Sequence, residues 1–376
     1  MNSFARIYSI DRPDTSVQGG LTCDTRWRQG IGARRDLDED RLSAQALRAA
    51  EDRFIGEAVA LQERVGLEVI TDGEYRRIIY FGHFPAAVSG FTEMDAEVVF
   101  QDASGGTLRY RTPVVTGKLR RLRGIATGEF EFVRGLTTRT PKVTLPSPCS
   151  QHAFRWREGV SERAYPDMDE FFSDVAAIYR EELADLAARG ATYVQLDDVA
   201  FPLLCDTKFR EGFRRRGFDP DSMVGRYVDL VNAALRDRPR EMTIGIHLCR
   251  GNNQGKWIGE GGYEAVAERI FTRLKVDAFF LEYDSPRAGS FEPLRFMPKD
   301  RRVVLGLVTT KTPALESTDT LVKRLDEAGR LIDLSRLSLS PQCGFASTAP
   351  GNPLTPADQE AKLRLVVETA RRVWGG

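Results

Sequence analysis

FFSDVAAIYREELADLAARGATYVQLDD, residues 171–198, carries two periodicities one after the other. Up to Gly190 the apolar residues recur every three or four positions with charges between them, which predicts an amphipathic helix that the glycine ends. ATYVQLDD follows as a short apolar run closing in two carboxylates and reads as a strand. The unit recurs along the chain. Leu42 to Val65 is helical up to Gly66, ahead of LEVITDGE; MVGRYVDLVNAALRD precedes MTIGIHLC, YEAVAERIFTRL precedes VDAFFLEYD, and LVKRLDEAGRLI precedes RLSLSPQC, with RRVVLGLV as a further strand. Repeated helix and strand units with glycine-containing turns predict a parallel sheet covered by helices.

Strands are expected near 67–72, 142–146, 191–197, 242–247, 277–282, 302–307 and 336–340, with an eighth near 17–23. Eight strands predict an α/β chain folded as a closed (β/α)8 TIM barrel. Between about 90 and 140 the rhythm lapses into TLRYRTPVVTGKLR and EFEFVRG, whose alternation suggests a β-hairpin excursion from one loop. Residues 1–376 are expected to form one domain, because such barrels use ~250 residues or more.

Composition narrows the function classes. With 54 basic and 54 acidic side chains the chain is neutral, so nothing favours nucleic acid or an acidic membrane surface, and partners are expected to be small molecules. The apolar runs fall far short of the ~20 residues of a membrane span, and MNSFARIYSIDRPD lacks a signal-peptide core, so a cytoplasmic protein is expected. Five scattered cysteines do not suit a secreted disulfide framework; they leave free thiols available as metal ligands.

The strand ends concentrate the reactive groups: TDGE (71–74), PSPCS (146–150), LDD (196–198), HLC (247–249), LEYD (281–284) and PQCG (341–344). In a parallel barrel these ends converge on one face, where such folds place their chemistry. Side chains two apart on an extended segment point the same way, so His247 and Cys249 can face one ion. Glu282 at the next strand end and Cys343 two strands further on complete the set. One imidazole, two thiolates and one carboxylate suit zinc better than magnesium or calcium.

HLC, LEYD and SPQCGF in that order resemble the zinc-binding pattern of the cobalamin-independent methionine synthase family, specifically its catalytic C-terminal barrel. VITDGEYRRIIYFG, RTPVVTGKLR, YVQLDDVA and VVLGLVTTKTPALES resemble further family segments, collinearly over about residues 42 to 375. The resemblance implies zinc on His247, Cys249, Glu282 and Cys343, and contacts from Glu74 and Asp197 to the ammonium of homocysteine. From the residues alone, Glu74 reads as a turn carboxylate after Gly73 and Asp197 as a helix N-cap. The chain departs from the family in having one barrel rather than two. It also departs in ARIYSIDRPDTSVQGG, where no Ile-Gly-Ser core is recognisable, and in Asp198 and Val199, where Glu and Pro are usual.

A free thiol has a pKa of ~8.5 and is a poor nucleophile until ionised, which zinc coordination favours. The expected activity is therefore zinc-dependent methyl or alkyl transfer to a small thiol. Homocysteine giving methionine is the default acceptor, and the donor is of the 5-methyltetrahydrofolate kind. Glu282, the hardest ligand, is the one expected to loosen, and Asp197 or Asp198 is the nearest acid for the leaving group. Alternatives are an epoxyalkane:coenzyme M-type transferase, a zinc hydrolase, or a closed structural zinc site. Arg76 and Arg77 are candidates to hold an anionic group, and His83 and His152 are read as loop or pocket-wall residues.

Overall fold

The computed structural model describes residues 43–77, 79–346 and 351–375. The long helix Met168–Ala188 begins where Asp167 accepts a hydrogen bond from the Asp169 amide, and its Phe171, Phe172, Val175, Ile178, Tyr179, Leu183 and Leu186 form the buried stripe. Gly190, at φ +89°, reverses the chain into the strand β6, Tyr193–Asp198. Helix Pro220–Ala234, capped by Asp219, leads in the same way into β7, Thr243–Leu248. With β5 (Val143–Pro146), β8 (Ala278–Glu282), β9 (Arg302–Val308) and β10 (Leu337–Pro341), these strands form a six-stranded parallel sheet in the order β10-β9-β8-β7-β6-β5.

Both faces of this sheet are buried, as parallel strands require. Val194 and Leu196, Ile244, Ile246 and Leu248, Phe279 and Leu281, and Val303 and Leu305 enter the main core beneath the helices. The alternate residues Tyr193, Ala278, Phe280 and Val304 form a separate small cluster with Val69 on the other face. Above that cluster the face turns polar: Lys142 Nζ donates to Gln195 Oε1 at 2.9 Å, and Gln195 Nε2 donates to Asp197 Oδ1 at 2.7 Å.

The strands lie within a residue or two of their expected positions, with one shortened. β1, Val69–Ile70, pairs in parallel with β4, Thr140–Pro141, and Lys142 N donates to Ile70 O at 2.8 Å on the way into β5. It ends early because the Gln62 side chain takes both backbone groups of Thr71, at 2.8 and 2.9 Å, in place of a neighbouring strand. Among the described residues the sheet is open, and the eighth strand expected near 17–23 lies outside them.

The excursion is an antiparallel hairpin of β2, Phe91–Gln101, and β3, Thr107–Val115. EFEFVRG is not part of it, contrary to its alternating pattern: Thr127–Arg134 is a helix. Glu182, from the distant helix Met168–Ala188, decides this by accepting from the Ile125 and Ala126 amides at 2.9 and 2.8 Å, which seats a negative charge at the new helix's N-terminus. Among the described residues no helix is long and apolar enough to cross a membrane.

Candidate metal centre

His247 is the fifth residue of β7 and pairs with Asp197 on one side and Phe280 on the other. Cys249 continues the ladder by donating its amide to Asp198 O at 2.8 Å, so its side chain emerges on the same side as His247. Cys343 follows β10 directly, after Gln342, whose amide donates to Val308 O at 2.7 Å. The donor atoms of His247, Cys249 and Cys343 all lie within 4.8 Å of one another, and the three residues are buried. The two sulfurs are 3.9 Å apart.

These residues fit a metal. Among the described residues neither ring nitrogen of the buried His247 makes a hydrogen bond of ordinary geometry, a costly arrangement unless the imidazole has another partner. The Cys343 thiol is pulled well below its ordinary pKa by a hydrogen bond from Cys249 and by His247, while Cys249 is held high by giving that hydrogen bond and by burial. The Gly251 amide points at Cys249 Sγ from 3.3 Å, favouring a thiolate there. Gly251 is needed for this: its φ is +96°, and a Cβ would lie 2.7 Å from Ile258 Cγ1. One imidazole and two thiols in van der Waals reach are a donor set for a soft or borderline divalent ion.

Glu282 ends β8 in the same region and is fully buried, but it stands apart from the three-residue group. Its Oε2 accepts from the Arg250 amide at 2.7 Å, and its Oε1 accepts from Arg287 Nη2 at 2.7 Å with Lys311 Nζ at 3.6 Å. Burial alone would raise its pKa, and Lys311, Arg250 and Arg287 together hold it well below the ordinary carboxylate value.

Glu74 and Asp197 face one another across the polar side of the sheet. Glu74 has a left-handed backbone, φ 58°, immediately after Gly73 at φ 70°, which turns its side chain inward from the end of β1. Its Oε1 accepts from Arg77 Nη1 at 2.9 Å and from Thr144 Oγ1 at 2.5 Å. Burial nevertheless raises its pKa to about 8, with Arg77 opposing and Asp197 adding to the rise. Asp197 is likewise raised by burial, against the pull of His247 and Gln195. Two buried carboxyls that share Arg77, itself also paired with Glu129, would be drawn to their ionised form by a further cation placed between them.

Other candidates fall elsewhere. Asp198 points to the opposite face of β6, accepts from the Phe201 amide at 2.7 Å, and is raised to about 6 by burial. Arg77 is closed in by Glu74, Glu129 and Thr144, and Arg76 binds Asp52 and lies on the Phe132 ring. His152 sits in an aromatic nest, bonded to Tyr227 Oη at 2.7 Å and lowered to about 3 by burial. His83 lies among the residues after Phe81, its pKa depressed by burial and by Arg77 and Arg155.

Three contributors gave no signal in the sequence: Tyr80, Arg287 and Lys311. Tyr80, Phe154, Phe209 and Ile258 pack partly buried around Cys249, Cys343, Val199 and Leu203. Phe154, Phe209 and Ile258 also line a cavity of about 590 Å³ that continues past Trp156, Arg157 and Lys208, with Val99 and Gln101 of the hairpin as one wall. A large pocket thus borders the thiols through an apolar collar.

A parallel α/β sheet whose strand ends bring an imidazole and two thiols together defines an α/β protein with a group that could hold a metal ion. More particularly, the chain belongs to the cobalamin-independent synthase catalytic-domain family, whose profile matches residues 27–371. It is 39% identical over 344 residues to the uncharacterized protein YxjH of Bacillus subtilis (strain 168), covering 91% of this chain and 90% of that one. It is 27% identical over 286 residues to the methionine synthase of Pyrococcus abyssi, covering 75% and 72%. Among solved structures it resembles the putative vitamin-B12 independent methionine synthase from Listeria monocytogenes, with TM-score 0.74, 28% identity, and coverage of 98% and 100%.

Proposed function

We propose that this chain is a zinc-dependent S-methyl or S-alkyltransferase that activates a small thiol, homocysteine giving methionine, for attack on a methyl donor such as 5-methyltetrahydrofolate. The observation that carries the reading is the convergence of His247, Cys249 and Cys343 from two separate strand ends. Relatives that bear the name methionine synthase support it. The fold we propose is one domain, 1–376, built as a (β/α)8 barrel. Its support is Val69, buried on the same face as Tyr193, Phe280 and Val304. The enzyme is expected to be cytoplasmic.

His247, Cys249 and Cys343 would hold the zinc, with Glu282 as the exchangeable fourth donor. When bound, zinc supplies electrostatic stabilisation of a thiolate, and two cysteine donors keep the sulfur of a bound thiol nucleophilic. Glu74 and Asp197 hold the substrate ammonium between their carboxylates. The apolar collar of Tyr80, Phe154, Phe209 and Ile258 excludes water from the thiols. The adjoining cavity receives the donor, with Trp156 and Phe154 for a flat ring and Arg157 and Lys208 for an anionic end. Asp197 and Asp198 are the candidate acids for the leaving group, since burial keeps both protonated to higher pH than a free aspartate. Asp197 is the better placed, because it is paired with His247 in the sheet whereas Asp198 is committed to the Phe201 amide.

Zinc quantification and zinc-edge X-ray absorption, with homocysteine, coenzyme M and glutathione added in turn, test the reading. Gain of one sulfur with homocysteine is expected. Gain with coenzyme M alone would assign the epoxyalkane-type transfer, and zinc that admits no thiol would overturn the alkyltransferase reading in favour of a hydrolytic or structural site.

A further inference from the structure

Glu282 is the one member of the expected ligand set that the structure holds apart from the others, and the way it is held is specific. Its Oε1 takes a hydrogen bond from Arg287 and lies 3.6 Å from Lys311 Nζ; Asp284 stands 3.6 Å from Arg287 and 3.9 Å from Lys311. Two carboxylates and two cations therefore alternate in a buried square whose charges already balance. The side chains of Glu282 and Asp284 are 0% and 2% exposed, and those of Arg287 and Lys311 are 10% and 6%. Among the described residues Lys311 Nζ makes no hydrogen bond, so its part in the square is that of a charge.

The square is also braced from outside. The Arg287 guanidinium lies over the Trp257 ring, 4.5 Å from its centroid. Trp257 is fixed in turn by backbone pairing with Gln101 at the end of β2, at 2.6 and 2.9 Å, and its neighbour Lys256 is paired with Asp102. Arg250, whose amide holds the other Glu282 oxygen, is anchored through its guanidinium on Gly261 O at 2.7 and 2.9 Å.

We propose that Arg287 and Lys311 are positioning residues that receive the Glu282 carboxylate and hold it clear of His247, Cys249 and Cys343 when a thiol takes its place as the fourth donor. The inference rests on the zinc reading above and deepens it. A carboxylate that is already neutralised gives up a charge-assisted hydrogen bond if it turns to the metal, and a carboxylate leaving the metal has a built receiver. The balance between the two places sets how readily a thiol enters, and Trp257 couples that balance to the hairpin that walls the cavity.

The test is zinc affinity, measured by competition with a chromophoric chelator, together with homocysteine affinity of the zinc-loaded protein. Arg287→Met frees Glu282 to ligate, so zinc should bind about tenfold more tightly and homocysteine correspondingly more weakly, on the scale of outer-shell changes. In a Glu282→Gln background the same substitution should change neither. Lys311→Met, and Trp257→Leu, which keeps every charge, should act in the same direction with smaller effect and guard against a misfolded Arg287 variant. Unchanged zinc affinity in Arg287→Met overturns the proposal. So does weaker zinc binding, because Arg287 would then be aiming Glu282 at the metal. Wild-type protein that holds zinc but takes no homocysteine would sink the transferase reading, while the zinc affinities still decide the role of Arg287. Wild-type protein that holds no zinc would overturn both.

Discussion

Replacing Glu74 by Gln should strengthen the fold and damage the activity, and the two effects have separate sizes. The native carboxyl keeps its proton up to about pH 8, whereas in the unfolded chain it ionises near 4.5. Between those values the folded state binds more protons than the unfolded one, so its stability falls as pH rises. At about 1.36 kcal/mol per pH unit the loss above pH 8 has an upper bound of about 5 kcal/mol. Asp197 interacts with the same proton, so the two carboxyls titrate together and about half of this, on the order of 2 kcal/mol, is expected to be recovered by Glu74→Gln at pH 8.5. At pH 5.5 the gain should fall below about 1 kcal/mol. The glutamine oxygen still accepts from Arg77 and Thr144, which keeps the local geometry. Thermal unfolding at the two pH values reads the effect as a Tm gap of roughly 2–4 °C at pH 8.5 that narrows toward acid. A bound ammonium favours the ionised Glu74 carboxyl, a charge that glutamine cannot supply, so KM for homocysteine should rise about 10- to 100-fold, as for a charged hydrogen bond of roughly 1.5–3 kcal/mol. A variant that is less stable at pH 8.5, or a gap that does not change with pH, would refute the picture of an electrostatically strained receptor.

Cys343→Ser should lower zinc affinity by more than about 100-fold, beyond the range of outer-shell changes, as read by chelator competition on folded protein. Gly251→Ala forces a Cβ to 2.7 Å from Ile258 at φ +96° and should cost about 1–3 kcal/mol in urea unfolding, with weaker zinc retention because the backbone must shift and carry the residue 251 amide off the Cys249 sulfur. Arg77→Met leaves Glu129 buried without its cation and should destabilise by about 3–5 kcal/mol near neutral pH, less in acid where the Glu129 carboxyl is protonated.

The alternation of helix and strand was legible in the sequence because both periods are local: an apolar stripe every three or four residues, then a run ending at a turn. The likeness of His247 and Cys249 in direction was legible for the same reason, since two residues along a strand return a side chain to the same face. So was the family, through short motifs at strand ends. What the chain could not disclose locally was decided by partners far away in sequence. EFEFVRG alternates like a strand, yet it is a helix because Glu182 receives its first amides. LEVITDGE reads as a longer strand than β1, yet Gln62 closes it after two residues. Asp197 and Asp198 look equivalent in LDD, but the pleat sends one toward His247 and the other toward Phe201. Glu282 reads as a ligand beside His247, Cys249 and Cys343. Only the tertiary structure brings Arg287 and Lys311 to its carboxylate, because ion pairs depend on distances in space that no spacing along the chain encodes.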